Sequence, residues 1–182
     1  MSKGRYNNGV ACNGPEMGCK GYVIDPPVPA VLLMPWVVIF GTDLNKVYVS
    51  LAFGAAAMGL FWVAARQMGW NLRLTAAMTV LLALGTDFWW AASDGSLWMF
   101  SHVSSVFFMM TALVAATSQK RPWLVGLLLG LSGLSRLPTF LASPFFLHLV
   151  LKNDIPDRRE WPAIARDRVV IRKVLLFGSS GW

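Results

Sequence analysis

Of the 182 residues, 55% are hydrophobic, 13% aromatic and only 14% charged, with a mean hydropathy of +0.53. Such a chain is too apolar and too poorly charged for a disordered segment or an ordinary soluble enzyme. Its sixteen basic and nine acidic residues give a net charge of +7; Lys and Arg sit between apolar runs rather than along one face, so they read as the loop charges of a polytopic membrane protein and exclude nucleic acid as the partner.

Residues 1–27 form a polar leader rich in Gly and Asn, with no apolar signal-peptide core. Its Cys12 and Cys19 have a C-x6-C spacing that matches no zinc or redox signature. In an oxidising compartment they would close a small disulfide loop, and otherwise they are two free thiols. Residues 28–151 are expected to be embedded in the bilayer. The first stretch, 28–41, has about 14 residues and carries Pro29 and Pro35; a spanning helix needs roughly 20, so this one is expected to lie in the interface or re-enter. Residues 47–65 are long enough to cross, and Gly54, Ala55, Ala56, Ala57 and Gly59 let a neighbouring helix come close. A third stretch covers 74–90 and a fourth 97–117. The apolar region 123–151 is interrupted by Arg136 and Pro138 and reads as two short antiparallel or broken helices. Residues 152–173 make a basic linker, and 174–182 begin a further helix. The expected fold is all-α: a transmembrane bundle of about five hydrophobic helices plus one short interfacial or re-entrant segment.

Loop charge predicts the orientation. Arg66 and Arg73 put one loop on the cytoplasmic side, and Lys120 with Arg121 put the loop two crossings later on the same side. The intervening loop, with Asp87 and Asp94 and no base, is then external. The same alternation makes the leader external with no helix before it. The expectation is therefore a fragment, cut at both ends, of a larger protein of the bacterial cytoplasmic membrane.

Four segments follow one another in a telling order. Residues 22–41 run from Tyr22 through Asp25-Pro26-Pro27 to Phe40-Gly41, and the next helix ends Ala64-Ala65-Arg66-Gln67. Then come Gly85-Thr86-Asp87-Phe88-Trp89-Trp90 with Ser93-Asp94-Gly95, and Gly126 to Leu131 leading to Ser135-Arg136-Leu137-Pro138. Over residues 22–151 this succession resembles the GT-C glycosyltransferases, the group of protein O-mannosyltransferases and lipid A aminoarabinose transferases. The resemblance implies an external site, a polyprenyl-phosphate sugar donor, and a lipid, glycan or protein acceptor. It also implies an inverting displacement with a carboxylate as general base. Relatives with a Lys-Pro-Pro element use its lysine near the donor phosphate, whereas Asp25 stands at that position here. The family's main catalytic acid lies after a first helix that would precede this chain, so the fragment alone is expected to be inactive.

Asp25 is a candidate for acceptor or metal contact, and Asp94 for lining the catalytic site, with Asp87 beside it. Each has a plainer role as the acid of a turn or at a helix end. No cofactor is required by these residues, and a divalent metal is compatible with them. Arg136 is the sharpest observation: a cation inside an apolar run either binds an anion such as a lipid phosphate or snorkels to the headgroups. His102 follows Trp98 by about one turn; it either contacts substrate or bonds a neighbouring helix. Trp98, with Trp89 and Trp90, belongs to an aromatic belt or stacks on a sugar. The rival reading is a non-enzymatic polytopic protein, a transporter half or structural subunit.

Overall fold

The computed structural model describes residues 6–7, 10–11, 26–41, 44–118 and 122–152, together with positions 172, 175, 176 and 179. Among them are seven α-helices. A two-residue antiparallel pair, Tyr6–Asn7 with Val10–Ala11, is the non-helical exception. Cys12, Cys19, Asp25 and nearly all of the linker at 152–173 and the segment at 174–182 lie outside the described residues.

Helix α1 (Pro27–Phe40) starts on its own prolines and ends at Gly41, whose φ of +69° closes the helix. Its 14 residues measure about 21 Å at 1.5 Å per residue, short of a roughly 30 Å hydrocarbon core. Helix α2 (Lys46–Gln67) is capped by Asn45, whose side chain accepts from the Val47 amide at 3.1 Å. Helix α3 (Leu72–Leu84) is capped in the same way by Asn71, which accepts from the Leu74 amide at 2.7 Å. A polar side-chain oxygen there satisfies a backbone donor that the helix itself cannot. Helix α4 is Phe88–Asp94 and α5 is Leu97–Ser118. Helix α6 (Pro122–Ser135) is followed by a 3-10 turn, Leu137–Ala142, and α7 (Ser143–Lys152).

Among the described residues two helices, α2 and α5, are long and apolar enough to cross a membrane, and a third span results if α3 and α4 count as one. The expectation of about five such helices is thus reduced: α1, α6 and the 3-10 turn with α7 are apolar but short. The single stretch expected at 74–90 is also corrected. It is broken at Gly85–Asp87, and α3 and α4 diverge by 51°. Thr86 helps make the break, because its Oγ1 bonds back to the Leu82 carbonyl at 2.7 Å while accepting from the Phe88 amide at 3.3 Å. Asp87 and Asp94 therefore bracket a short helix and not a turn.

Small residues set the packing. Ala64 on α2 meets Ala112, Leu113, Ala115 and Ala116 on α5, Val125 and Leu129 on α6, and Phe146 and Val150 on α7 in the largest buried cluster. Leu33, Val49 and Phe100 join α1, α2 and α5; Ala91, Ala92 and Val103 join α4 to α5. Gly54 admits α4, since a methyl group there would sit 3.2 Å from the Ala92 Cβ. Phe53 packs edge-on to Phe100 and Phe107 near the start of α2 and α5, while Thr117 donates to Gln67 at their far ends. Helices α2 and α5 are therefore parallel, and α6 returns antiparallel to α5. This brings Asn45, Gly95, Trp98 and Arg136 to one end of the bundle and Arg66, Gln67 and Thr117 to the other.

Candidate functional site

Arg136 is an extended residue between α6 and the 3-10 turn, with φ −152° and ψ 109°. Its backbone is fixed from both sides. The amide donates to the Ser132 carbonyl at 2.9 Å, and the carbonyl accepts from the Thr139 amide at 3.0 Å and the Thr139 hydroxyl at 2.7 Å. Ser132 extends this support across the bundle. Its Oγ donates to the Ser105 carbonyl at 2.9 Å, the Ser105 Oγ donates to the Ser132 carbonyl at 3.2 Å, and Thr139 Oγ1 stands 3.2 Å from Ser132 Oγ. A buried reciprocal pair of this kind locks the register of α6 on α5.

That register delivers the Arg136 side chain to the first two turns of α5. Nη2 donates to the Trp98 carbonyl at 3.3 Å and to His102 Nε2, and the guanidinium carbon lies 4.2 Å from the centroid of the Trp98 ring. The Trp98 carbonyl also accepts from the Ser101 hydroxyl at 2.6 Å. Nε of Arg136 is buried and has no hydrogen-bond partner. Arg136 meets no carboxylate among the described residues, so the cluster is a cation held by a ring face, a carbonyl and an imidazole. Arg136 is thus a half-buried cation with a buried, unpartnered Nε and no carboxylate bonded to it among the described residues.

The neighbouring face of α5 opens on a cavity of about 310 Å³ lined by Thr86, Asp87, Phe88, Ala91, Met99, His102 and Val106. Asp87 caps α4 by position, yet its side chain makes no capping bond. His102 thus belongs both to the arginine cluster and to this cavity. Of the residues singled out from sequence, Arg136, Trp98 and His102 come together and Asp87 joins them through the cavity. Asp94 does not: it is exposed at the end of α4, where Oδ2 accepts from the Ser96 amide at 3.3 Å. Asp25 lies outside the described residues.

Sequence reasoning missed Ser132 and Thr139, which hold Arg136 in place. The available signal was a hydroxyl residue inside an apolar helix four positions before a cation, the usual form of interhelical polar contact in apolar surroundings. Among the described residues no three His, Cys, Asp or Glu side chains converge. No family model, curated protein or solved structure matches the chain.

Proposed function

We propose that this chain belongs to an integral-membrane glycosyltransferase of the GT-C type, moving a sugar from a polyprenyl-phosphate carrier to a lipid, glycan or protein acceptor at one face of the bilayer. The observation that carries the reading is the Arg136 guanidinium, whose Nε is buried and unpartnered and which makes no ion pair among the described residues. In this reading Arg136 receives the donor phosphate. Stacking on Trp98 fixes the plane of the guanidinium, and the bond to His102 fixes its rotation.

The chemistry that follows is an inverting displacement. The acceptor oxygen bonds to the anomeric carbon as its proton passes to a carboxylate, and the bond from that carbon to the phosphate oxygen breaks. The electron pair leaves with the lipid phosphate, where Arg136 offsets the developing charge. Asp94 and Asp25 are the candidate bases, with any further acid supplied from outside these residues. Asp94 retains one carboxylate oxygen free of the Ser96 bond for this task.

The test is lipid retention by the chain in phosphatidylcholine nanodiscs, read by native mass spectrometry. Undecaprenyl phosphate is expected to be retained at least tenfold over undecaprenol, and Arg136→Gln to remove the preference. A charge-assisted hydrogen bond is worth about 1.5–3 kcal/mol, which is roughly ten- to a hundredfold. Equal retention of the two lipids would overturn the reading.

One observation favours the rival class. The 51° break between α3 and α4, with Asp87 at the break, is the way discontinuous helices in transporters build ion sites. Proton or cation flux in proteoliposomes that depends on Asp87, together with no preference for the phosphate lipid, would favour a transporter half.

A further inference from the structure

We infer that the cavity between α4 and α5 is a binding site for a neutral, polyhydroxylated lipid headgroup, recognised by the Asp87 carboxylate and the His102 Nδ1–H acting together. The proposal rests on the membrane reading of α2 and α5 and is independent of phosphate binding at Arg136.

The chemistry begins with Arg136. A guanidinium has five donors and no acceptor, so the contact between Arg136 Nη2 and His102 Nε2 requires the lone pair of the imidazole to be on Nε2. The ring is then neutral with its proton on Nδ1, and the nitrogen left for a ligand is a donor. Asp87, across the same cavity, offers acceptors only, and no hydrogen bond to its carboxylate is present among the described residues. A hydroxyl group donates once and accepts twice, which matches one acceptor and one donor. A phosphate fits poorly, because it would face the Asp87 carboxylate. An ammonium would meet Asp87 but leave the imidazole N–H unused. The two halves of the site thus divide their ligands by charge: an anion at Arg136 and a hydroxyl between Asp87 and His102.

Size and depth narrow the occupant. At about 310 Å³ the cavity is at the small end of the roughly 300–1,000 Å³ range of ligand pockets, so it takes a single headgroup and no oligosaccharide. Its walls at Phe88, Ala91, Met99 and Val106 are apolar and suit the ring carbons and the glycerol of a glycolipid. The cavity reaches Val106, about 13 Å along the axis from the start of α5 at 1.5 Å per residue. Asp87 and His102 line the cavity and are both exposed, so a headgroup that enters from the surface can bring its hydroxyls to both side chains.

The test uses the whole chain in phosphatidylcholine nanodiscs, with monoglucosyl-diacylglycerol against diacylglycerol of the same acyl chains, and retention read by native mass spectrometry. The expected result is about tenfold preference for the glucosyl lipid, lost in Asp87→Ala at unchanged helicity by circular dichroism. Equal retention of the two lipids by the natural chain, as for a water-filled cavity, would overturn the proposal. So would a preference that Asp87→Ala leaves intact. Undecaprenyl phosphate measured in parallel separates the two ideas. A preference for phosphate without one for glucose removes only the cavity site, and the converse removes only the role of Arg136.

Discussion

The Arg136 guanidinium stacks 4.2 Å over the Trp98 ring while its Nη2 donates to the carbonyl of that same residue at 3.3 Å. One residue of α5 therefore holds the cation by two routes, a ring face and a backbone oxygen. A lysine ammonium is a compact point charge and cannot lie flat on an indole while bonding in the ring plane. Arg136→Lys is expected to lower retention of undecaprenyl phosphate by about tenfold although the charge is kept. Trp98→Leu removes only the cation–π term, about 0.5–1 kcal/mol at an exposed site, and should lower retention roughly two- to fivefold. Retention by Arg136→Lys equal to that of the natural chain would show that charge alone suffices.

Ser105 and Ser132 form the polar contact that sets α6 against α5, and both are buried. Interhelical hydrogen bonds in membranes average about 0.6 kcal/mol and reach about 1.7. Ser132→Ala should therefore destabilise the bundle by about 1 kcal/mol, measured by reversible unfolding in mixed micelles. Because the two side chains share one set of bonds, Ser105→Ala with Ser132→Ala should cost little more than either change alone. An additive double variant would mean that the two serines act independently.

Much of this architecture was legible because length and hydropathy report spans directly: α2 and α5 carry the long apolar stretches the sequence displays, and Pro138 with Arg136 marks the break after α6. The break between α3 and α4 was not legible. The apolar run continues through Phe88, Trp89 and Trp90, and what bends it is the Thr86 hydroxyl returning to the Leu82 carbonyl, a bond that hydropathy does not register. Arg136 announced itself as a cation in an apolar run, but its partners depend on which faces of α5 and α6 meet. That register is set by Ser105 and Ser132, 27 residues apart in the chain. Asp94 was legible as the acid of a turn or helix end, but its particular bond to the Ser96 amide was not, because it depends on the left-handed Gly95 between them.

Gly95 and Gly41 both have positive φ, +66° and +69°, but their surroundings differ. A Cβ on Gly95 would lie 2.5 Å from Val47 Cγ2 and 3.0 Å from the Val47 amide nitrogen, whereas one on Gly41 would meet nothing within 4 Å. Gly41 combines its positive φ with a ψ of −159°, a region that essentially only glycine adopts, so Gly41→Ala should cost the backbone penalty alone, about 1–3 kcal/mol. Gly95→Ala adds the crowding of a packed contact, about 1–3 kcal/mol more. Unfolding measurements in mixed micelles should rank Gly95→Ala below Gly41→Ala; equal stabilities would mean that α5 can move away from Val47 without cost.

The parallel alignment of α2 and α5 makes a prediction about sidedness. Asn45 and Ser96 precede the two helices, and Gln67 and Ser118 end them. Since each helix has 22 residues, or about 33 Å at 1.5 Å per residue, each can cross a hydrocarbon core of about 30 Å once. Single cysteines at Asn45 and Ser96, in chains whose Cys12 and Cys19 are replaced by serine, should react with a membrane-impermeant maleimide from one side of sealed vesicles. Cysteines at Gln67 and Ser118 should react only after the vesicles are opened, or the reverse pattern should hold for all four in vesicles of opposite orientation. The return path, α3 with α4, must then carry the chain back across between Gln67 and Ser96 despite its 51° bend. Labelling of Gln67 and Ser96 from the same side would show that the bent pair re-enters without crossing. Labelling of Asn45 and Gln67 from the same side would remove α2 as a span.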